Sequence, residues 1–315
     1  MRIGYPCINL SLPCRSSRTF RLASYSVEMM QEKVRNNLGC LLDILQFNAS
    51  HQVGFFRITS DLIPFASHPV CTFPWRDVFR KHFRALGKSI RDKNIRVSMH
   101  PDQFVLINSK DEGILKRSVY ELEYHADVLD LLGTDAGAKI QIHVGGVYGE
   151  KARSMGRFIE RYESLPEKVR KRLVIENDER LYDIADCLEI HRKTGIPVIF
   201  DALHFSCNNR GEDMRAAMEQ VFRTWGKKDG LPIVDYSSQE KGKRKGSHAA
   251  TIDMREFRKF IDTASNLDFD IMLEIKDKEK SALKACALLK SNKSKKSPLL
   301  QLHGNTAIIT VGRDE

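Results

Sequence analysis

Short apolar runs alternate along this chain with longer segments in which apolar side chains recur every three or four positions. Period-two or continuous apolar runs predict strands at Arg2–Tyr5, Val53–Ile58, Ile95–His100, Lys139–Val144, Leu173–Glu176, Pro197–Asp201, Ile233–Tyr236 and Ile271–Ile275. The helical period predicts helices at Val27–His51, Trp75–Lys93, Ile114–Leu132, Lys151–Tyr162, Leu181–Thr194, Met214–Trp225, Met254–Ala264 and Lys278–Lys290. In the third of these, Val119, Leu122, Ala126, Leu129 and Leu132 mark one apolar face. Eight strands alternating with eight helices predict the α/β class and a single (β/α)8 TIM barrel. No linker rich in Pro, Gly or Ser divides the 315 residues, so residues 1–290 are expected to form one domain. Residues 291–315 open on SNKSKKS and read as a basic C-terminal tail, expected to be partly disordered.

The strands end on unusual residues. The third and fourth close on His100 and His143, and the fifth on Glu176. The sixth brings Asp201 and His204, the seventh Asp235, and the eighth Glu274. Parallel strands present their ends on one rim, so these groups would converge on one pocket. Burying so many carboxylates and imidazoles without cations is severely unfavourable. A metal cluster at the C-terminal rim is the expected relief, held by neutral imidazole and carboxylate. With His248 the candidates number eight, more than one ion needs, which points to two or three ions, with Glu176 able to bridge. A single histidine here would more often be a hydrogen-bonded structural residue; the joint pattern carries the argument.

Lys and Arg exceed Asp and Glu by 10, which favours a polyanionic partner such as nucleic acid. The connection Ser237–Asp253 contains QEKGKRKGSHAA, a basic loop on the rim beside His248. It reads as a phosphate contact or as a solvated surface. Seven cysteines without CxxC spacing predict reduced thiols, and the absence of a long apolar run predicts a soluble, cytoplasmic protein with no membrane span.

The motifs GYPCINL, RITSDLIPFASHP, SMHPDQFV, IHVGGVYGEK, LVIENDER, DALHFSCN and DYSSQEKGKRKGSHA together resemble the UV damage endonuclease family, from about Arg2 to Glu274. Endonuclease IV is a more distant likeness. The resemblance implies a DNA repair enzyme that incises damaged duplex DNA immediately 5′ to cyclobutane pyrimidine dimers, 6-4 photoproducts and abasic sites. It would leave a 3′-hydroxyl through attack of metal-activated water. Divalent ions are implied, manganese above zinc or magnesium. His100, His143 and Glu176 would hold one pair of ions, Asp201 and Glu274 would complete the second, and His204 and His248 would serve the third. Glu176 and His68 are the implied catalytic residues, His68 assisting proton transfer, contacting the scissile group or merely capping its loop. Gln103 and Phe104 would probe the duplex opposite the lesion. Tyr5 and Asn9 would contact the pocket or backbone, and Lys151 and Arg180 phosphates. No obligate protein partner is implied, and a monomer is expected.

The chain departs from the family pattern at the seventh strand. Asp235 stands where some members have a histidine ligand, and Ile233 where some have a carboxylated lysine, so no such modification is expected at that residue. Two other readings of the residues remain open here. A metal-dependent sugar isomerase or epimerase uses the same barrel, and a non-catalytic DNA-binding barrel would keep the basic rim.

Overall fold

In a computed structural model, which describes residues 1–295, eight parallel strands close into a barrel in sequence order. They are β1 (Ile3–Pro6), β2 (Phe55–Ile58), β3 (Arg96–Met99), β4 (Ile140–His143), β5 (Leu173–Glu176), β6 (Val198–Asp201), β7 (Ile233–Tyr236) and β8 (Asp270–Leu273). Around them lie α1 (Val27–Ser50), α2 (Trp75–Val78), α3 (Arg80–Asp92), α4 (Glu112–Leu131), α5 (Lys151–Glu163), α6 (Glu167–Arg170), α7 (Ile184–Thr194), α8 (Ala202–Cys207), α9 (Met214–Phe222), α10 (Met254–Thr263) and α11 (Glu279–Lys295). All eight expected strands and helices are present among the described residues, with ends shifted by a few positions.

The shifts have local causes. The second helix breaks into α2 and α3 at Phe79, whose buried ring packs on Phe73. The helix expected from Leu181 starts at Ile184, because Asp178 accepts the N–H groups of Arg180, Leu181 and Tyr182 and holds a turn there. Asp183 then caps α7 in a box with Asp186. α11 runs five residues past the expected domain end at 290, so the start of the basic run is helical, and the rest of the expected tail lies outside the described residues.

The barrel interior is layered. Side chains alternate along a strand, so residues two apart share the inward face. Phe55, Val174, Ile199, Ile233 and Met272 form a closed apolar layer. Two positions further along the same strands come Arg57, Glu176, Asp201, Asp235 and, just past β8, Glu274. A second, larger apolar core lies between strands and helices. The charged layer thus sits on a dry floor at the C-terminal end of the barrel.

One expectation about the cysteines is corrected. Cys14 and Cys40 form a disulfide, with Cα atoms 5.7 Å apart, because the segment after β1 folds back onto α1. Cys7, Cys71, Cys187, Cys207 and Cys286 are free thiols. No helix among the described residues is long and apolar enough to cross a membrane.

Candidate metal centre

The fold gathers the strand-end residues into three overlapping triads. His100, His143 and Glu176 form one, Glu176, Asp201 and His204 the next, and Asp201, Asp235 and Glu274 the third, with ligand atoms in each within 4.8 Å of one another. Glu176 and Asp201 each belong to two triads. His248 stands at the far end, its Nδ1 3.5 Å from a Glu274 oxygen. The imidazoles form a row, with ring centres 5.5 Å apart for His100 and His143 and 6.1 Å apart for the next two steps, through His204 to His248. His204 and His248, expected to serve one ion together, are neighbours in this row.

Local structure explains the aim of each group. Asp201 ends β6 and caps α8 by accepting the N–H of His204 at 2.7 Å, so one helical turn fixes both residues. Asn177 clamps the neighbouring rim: its amide pairs with both backbone groups of Asp201, at 2.9 and 3.1 Å. In IHVGG, Gly145 has φ +109°, and a Cβ there would lie 2.4 Å from the Asn108 side-chain oxygen, so only glycine fits.

The electrostatics favour cations. His100 Nδ1 lies 2.8 Å from the Pro101 carbonyl, and His204 Nδ1 3.0 Å from the Asn177 carbonyl. Each carbonyl needs a proton on Nδ1, which leaves the Nε2 lone pair for the pocket. His100 Nε2 sits 2.9 Å from Glu176 Oε1, and His143 Nε2 3.3 Å from the same oxygen. Lone pair facing carboxylate is stable only with a proton or a metal cation between them. Burial pushes His100 down, but Glu176 more than offsets it and raises its pKa. Burial lifts Asp201 well above the carboxylate range; His204 opposes this, while Glu274, Glu176 and Asp235 add to it. His204 itself reaches about 9, burial lowering it and Asp201 and Glu176 raising it further.

Arg57, which the sequence reading does not single out, shapes the floor of the site. Its Nη2 donates to both Asp235 oxygens, at 2.9 and 2.8 Å, and to Gln141 at 2.7 Å, while Nη1 donates to Glu274. Gln141 also donates to Asp235 at 2.5 Å. Asp235 thus accepts three hydrogen bonds from protein donors. Burial still raises it to about 7, with Arg57 opposing and Glu274 adding. Glu274 falls to about 2, because Arg57 and His248 outweigh its burial. With all four carboxylates ionised against one guanidinium, the layer would carry three formal negative charges, and the raised Asp201 and Asp235 reflect that excess. Mixed imidazole and carboxylate donors, two of the carboxylates shared, fit divalent ions in number and chemistry.

The other candidates divide. Gln103 and Phe104 line the roughly 540 Å³ pocket that holds His100, His143, His248 and Glu274, and Phe104 is 76% exposed. His68 lies in a neighbouring cleft that shares Asp102 and Phe104 with this pocket, and its Nδ1 accepts the N–H of Val70 at 3.1 Å. It caps its loop and does not join the cluster. Lys151 pairs with Asp186 at 2.7 Å, and the exposed Arg180 with Glu179 at 3.2 Å. Tyr5 and Asn9 correct the expectation of DNA contact. Tyr5 is fully buried, donates to Asn48 at 2.6 Å and accepts from Asn9 at 2.8 Å, while the Asn9 carbonyl oxygen takes the N–H groups of Ser11 and Leu12. They brace the loop after β1 and offer no surface.

Known proteins share this arrangement of chain. A UV DNA damage endonuclease of Clostridium perfringens is 38% identical over 292 residues, covering 92% of this chain and 71% of its own. The crystal structure of SacUVDE superposes with a TM-score of 0.89 at 46% identity, covering 93% of this chain and 99% of that one. Endonuclease IV from Thermus thermophilus shares the fold, with a TM-score of 0.60 at 15% identity over 93% of this chain and 99% of its own. The UV-endonuclease UvdE family matches residues 1–301, and the chain belongs to that family.

Proposed function

We propose that this protein is a divalent-metal-dependent endonuclease that incises UV-damaged DNA. The cut falls immediately 5′ to cyclobutane pyrimidine dimers, 6-4 photoproducts and abasic sites and leaves a 3′-hydroxyl. The observation that carries this reading is the chain of three triads joined through Glu176 and Asp201, on the open rim of a UvdE-family barrel. The family match favours it over a sugar isomerase, and the complete donor set favours it over a barrel that only binds DNA.

His100, His143, Glu176, Asp201, His204, His248 and Glu274 would hold two or three ions, manganese suiting this donor set well. Such ions would neutralise charge on the phosphate and lower the pKa of water. Glu176 and Asp201 hold adjacent positions in fixed register, because β5 and β6 are tied together through Asn177. Arg57 keeps Glu274 and Asp235 in place, and Asp235, a member of the third triad, positions its neighbours and remains a candidate ligand. The apolar layer beneath keeps the dielectric low, which strengthens each of these interactions.

Gln103 and Phe104 stand on the ridge beside the pocket, suited to entering the stack where damage has weakened it. Lys241, Lys243 and Arg244, exposed on the connection after β7, suit the DNA backbone. His68, Lys151 and Arg180 remain candidates for more distant phosphates, and proton transfer is not assigned to His68.

The test is a nicking assay on a duplex carrying one thymine dimer, with manganese or EDTA. Expected is a single cut 5′ to the dimer, dependent on the ion, whose product a polymerase extends. Absence of cutting with every divalent ion tried would overturn the reading.

A further inference from the structure

We infer that Lys278, which the family motifs described above do not include, contacts the DNA phosphate held at the ion cluster, its ammonium donating to a non-bridging oxygen. This rests on the nuclease reading above. Lys278 lines the same pocket as His100, His143, His248 and Glu274.

The arginine and the other lysine that line this pocket are already committed. Arg57 is locked onto Asp235 and Glu274, Lys276 pairs with Glu240 at 3.3 Å, and Lys284 donates to Thr251 at 2.8 Å. Lys278 makes no side-chain hydrogen bond or ion pair among the described residues. Its acidic neighbours in sequence are turned away from it. Asp277 accepts the hydroxyl of Ser281, and the fully buried Glu279 accepts from Leu10 N and Ser11 Oγ, both at 2.8 Å.

The backbone holds the residue in an uncommon conformation. Lys278 has φ +53°, a left-handed geometry that is strained for a residue with a Cβ. Its N–H donates to the Ile275 carbonyl at 3.1 Å, and its own carbonyl accepts the N–H of Ala282 at 3.2 Å. It is thereby fixed at the head of α11. Lys278 lines this pocket together with Cys7 and Arg57. An unpaired lysine beside a cluster with excess carboxylate could act only as a counter-charge. It would then influence ion retention, whereas a phosphate contact influences DNA.

The experiment compares full-length wild type with Lys278→Met, which keeps the stem, and Lys278→Arg, which keeps the charge. Metal content, manganese-dependent kcat/KM on the dimer duplex, and the salt dependence of duplex binding in EDTA are measured. Lys278→Met is expected to keep its metal content and to lose about 100-fold in kcat/KM. Its slope of log Kd against log salt should be shallower by about 0.9, the loss of one phosphate contact. Lys278→Arg should restore most of both. An unchanged slope, or a loss of metal in Lys278→Met, would overturn the inference. If wild type fails to nick while the slope still changes, the nuclease reading falls and the phosphate contact stands.

Discussion

Replacing Arg57 by methionine removes a charge from the barrel floor and keeps most of its aliphatic stem. Both partners are out of solvent: the Arg57 side chain is 3% exposed and the Asp235 side chain 0%. Solvent screening therefore gives little relief. Breaking a buried pair by deleting one member costs about 3–5 kcal/mol, because the other charge is left unpaired. Arg57→Met should lower the unfolding free energy by that amount in EDTA at pH 8, where Asp235, at about 7, is largely ionised. Asp235→Leu should cost less, since Arg57 keeps Glu274 and Gln141 as partners. The double variant removes this pair, but Glu274 loses its guanidinium in it as in Arg57→Met, and the Gln141 amide loses Asp235 at about 1–3 kcal/mol. Its cost should fall well below the sum of the two single changes. Urea unfolding followed by circular dichroism measures all four proteins as a double-mutant cycle. If the two single effects simply add, Arg57 and Asp235 are not a coupled pair, and the positioning role of Asp235 is refuted.

Glu176→Gln removes the carboxylate common to two triads, and nicking should fall by at least about 10³-fold while the circular dichroism spectrum stays that of wild type; near wild-type cutting would exclude Glu176 from the mechanism. Replacing Gln103 and Phe104 together by alanine should bring the affinities for damaged and intact duplex together, and an unchanged ratio in a competition assay would end their probing role. The ion-free protein should lose stability between pH 6.5 and 8.5. Asp235 is raised from 3.8 to about 7 and His204 from 6.5 to about 9, so in this window the folded chain holds protons that the unfolded chain has released. The stability linked to these protons is full below the unfolded values and lost as pH rises through the folded ones. Urea midpoints in EDTA that rise over this interval would contradict the sign of both shifts.

The barrel was legible because its strands announce themselves twice, by apolar runs and by the ligand at each end. The interior layering follows from the same alternation once the strand register is known. Arg57 does leave a signal in the sequence: a lone charge inside the apolar run FFRI, which a barrel interior tolerates only beside carboxylates. Asp235 is legible as part of the cluster, but its engagement by Arg57 and Gln141 depends on contacts across β2, β4 and β7 that no local pattern encodes. Tyr5 and Asn9 mislead for a similar reason. Their residue types suit a binding surface, and only the packing of the loop after β1 against α1 turns them inward. The disulfide joins residues 26 apart, and an odd number of cysteines with no motif gives no ground to pair them. α8 is a six-residue helix, too short for periodicity to reveal, yet it aims His204.

The most direct measurement is the location and number of divalent ions in crystals of manganese-loaded protein, by anomalous scattering. The account expects two or three peaks on the barrel rim, one bordered by Glu176, His100 and His143 and another by Asp201. Peaks confined to the surface, or a rim pocket without ions at saturating manganese, would contradict it.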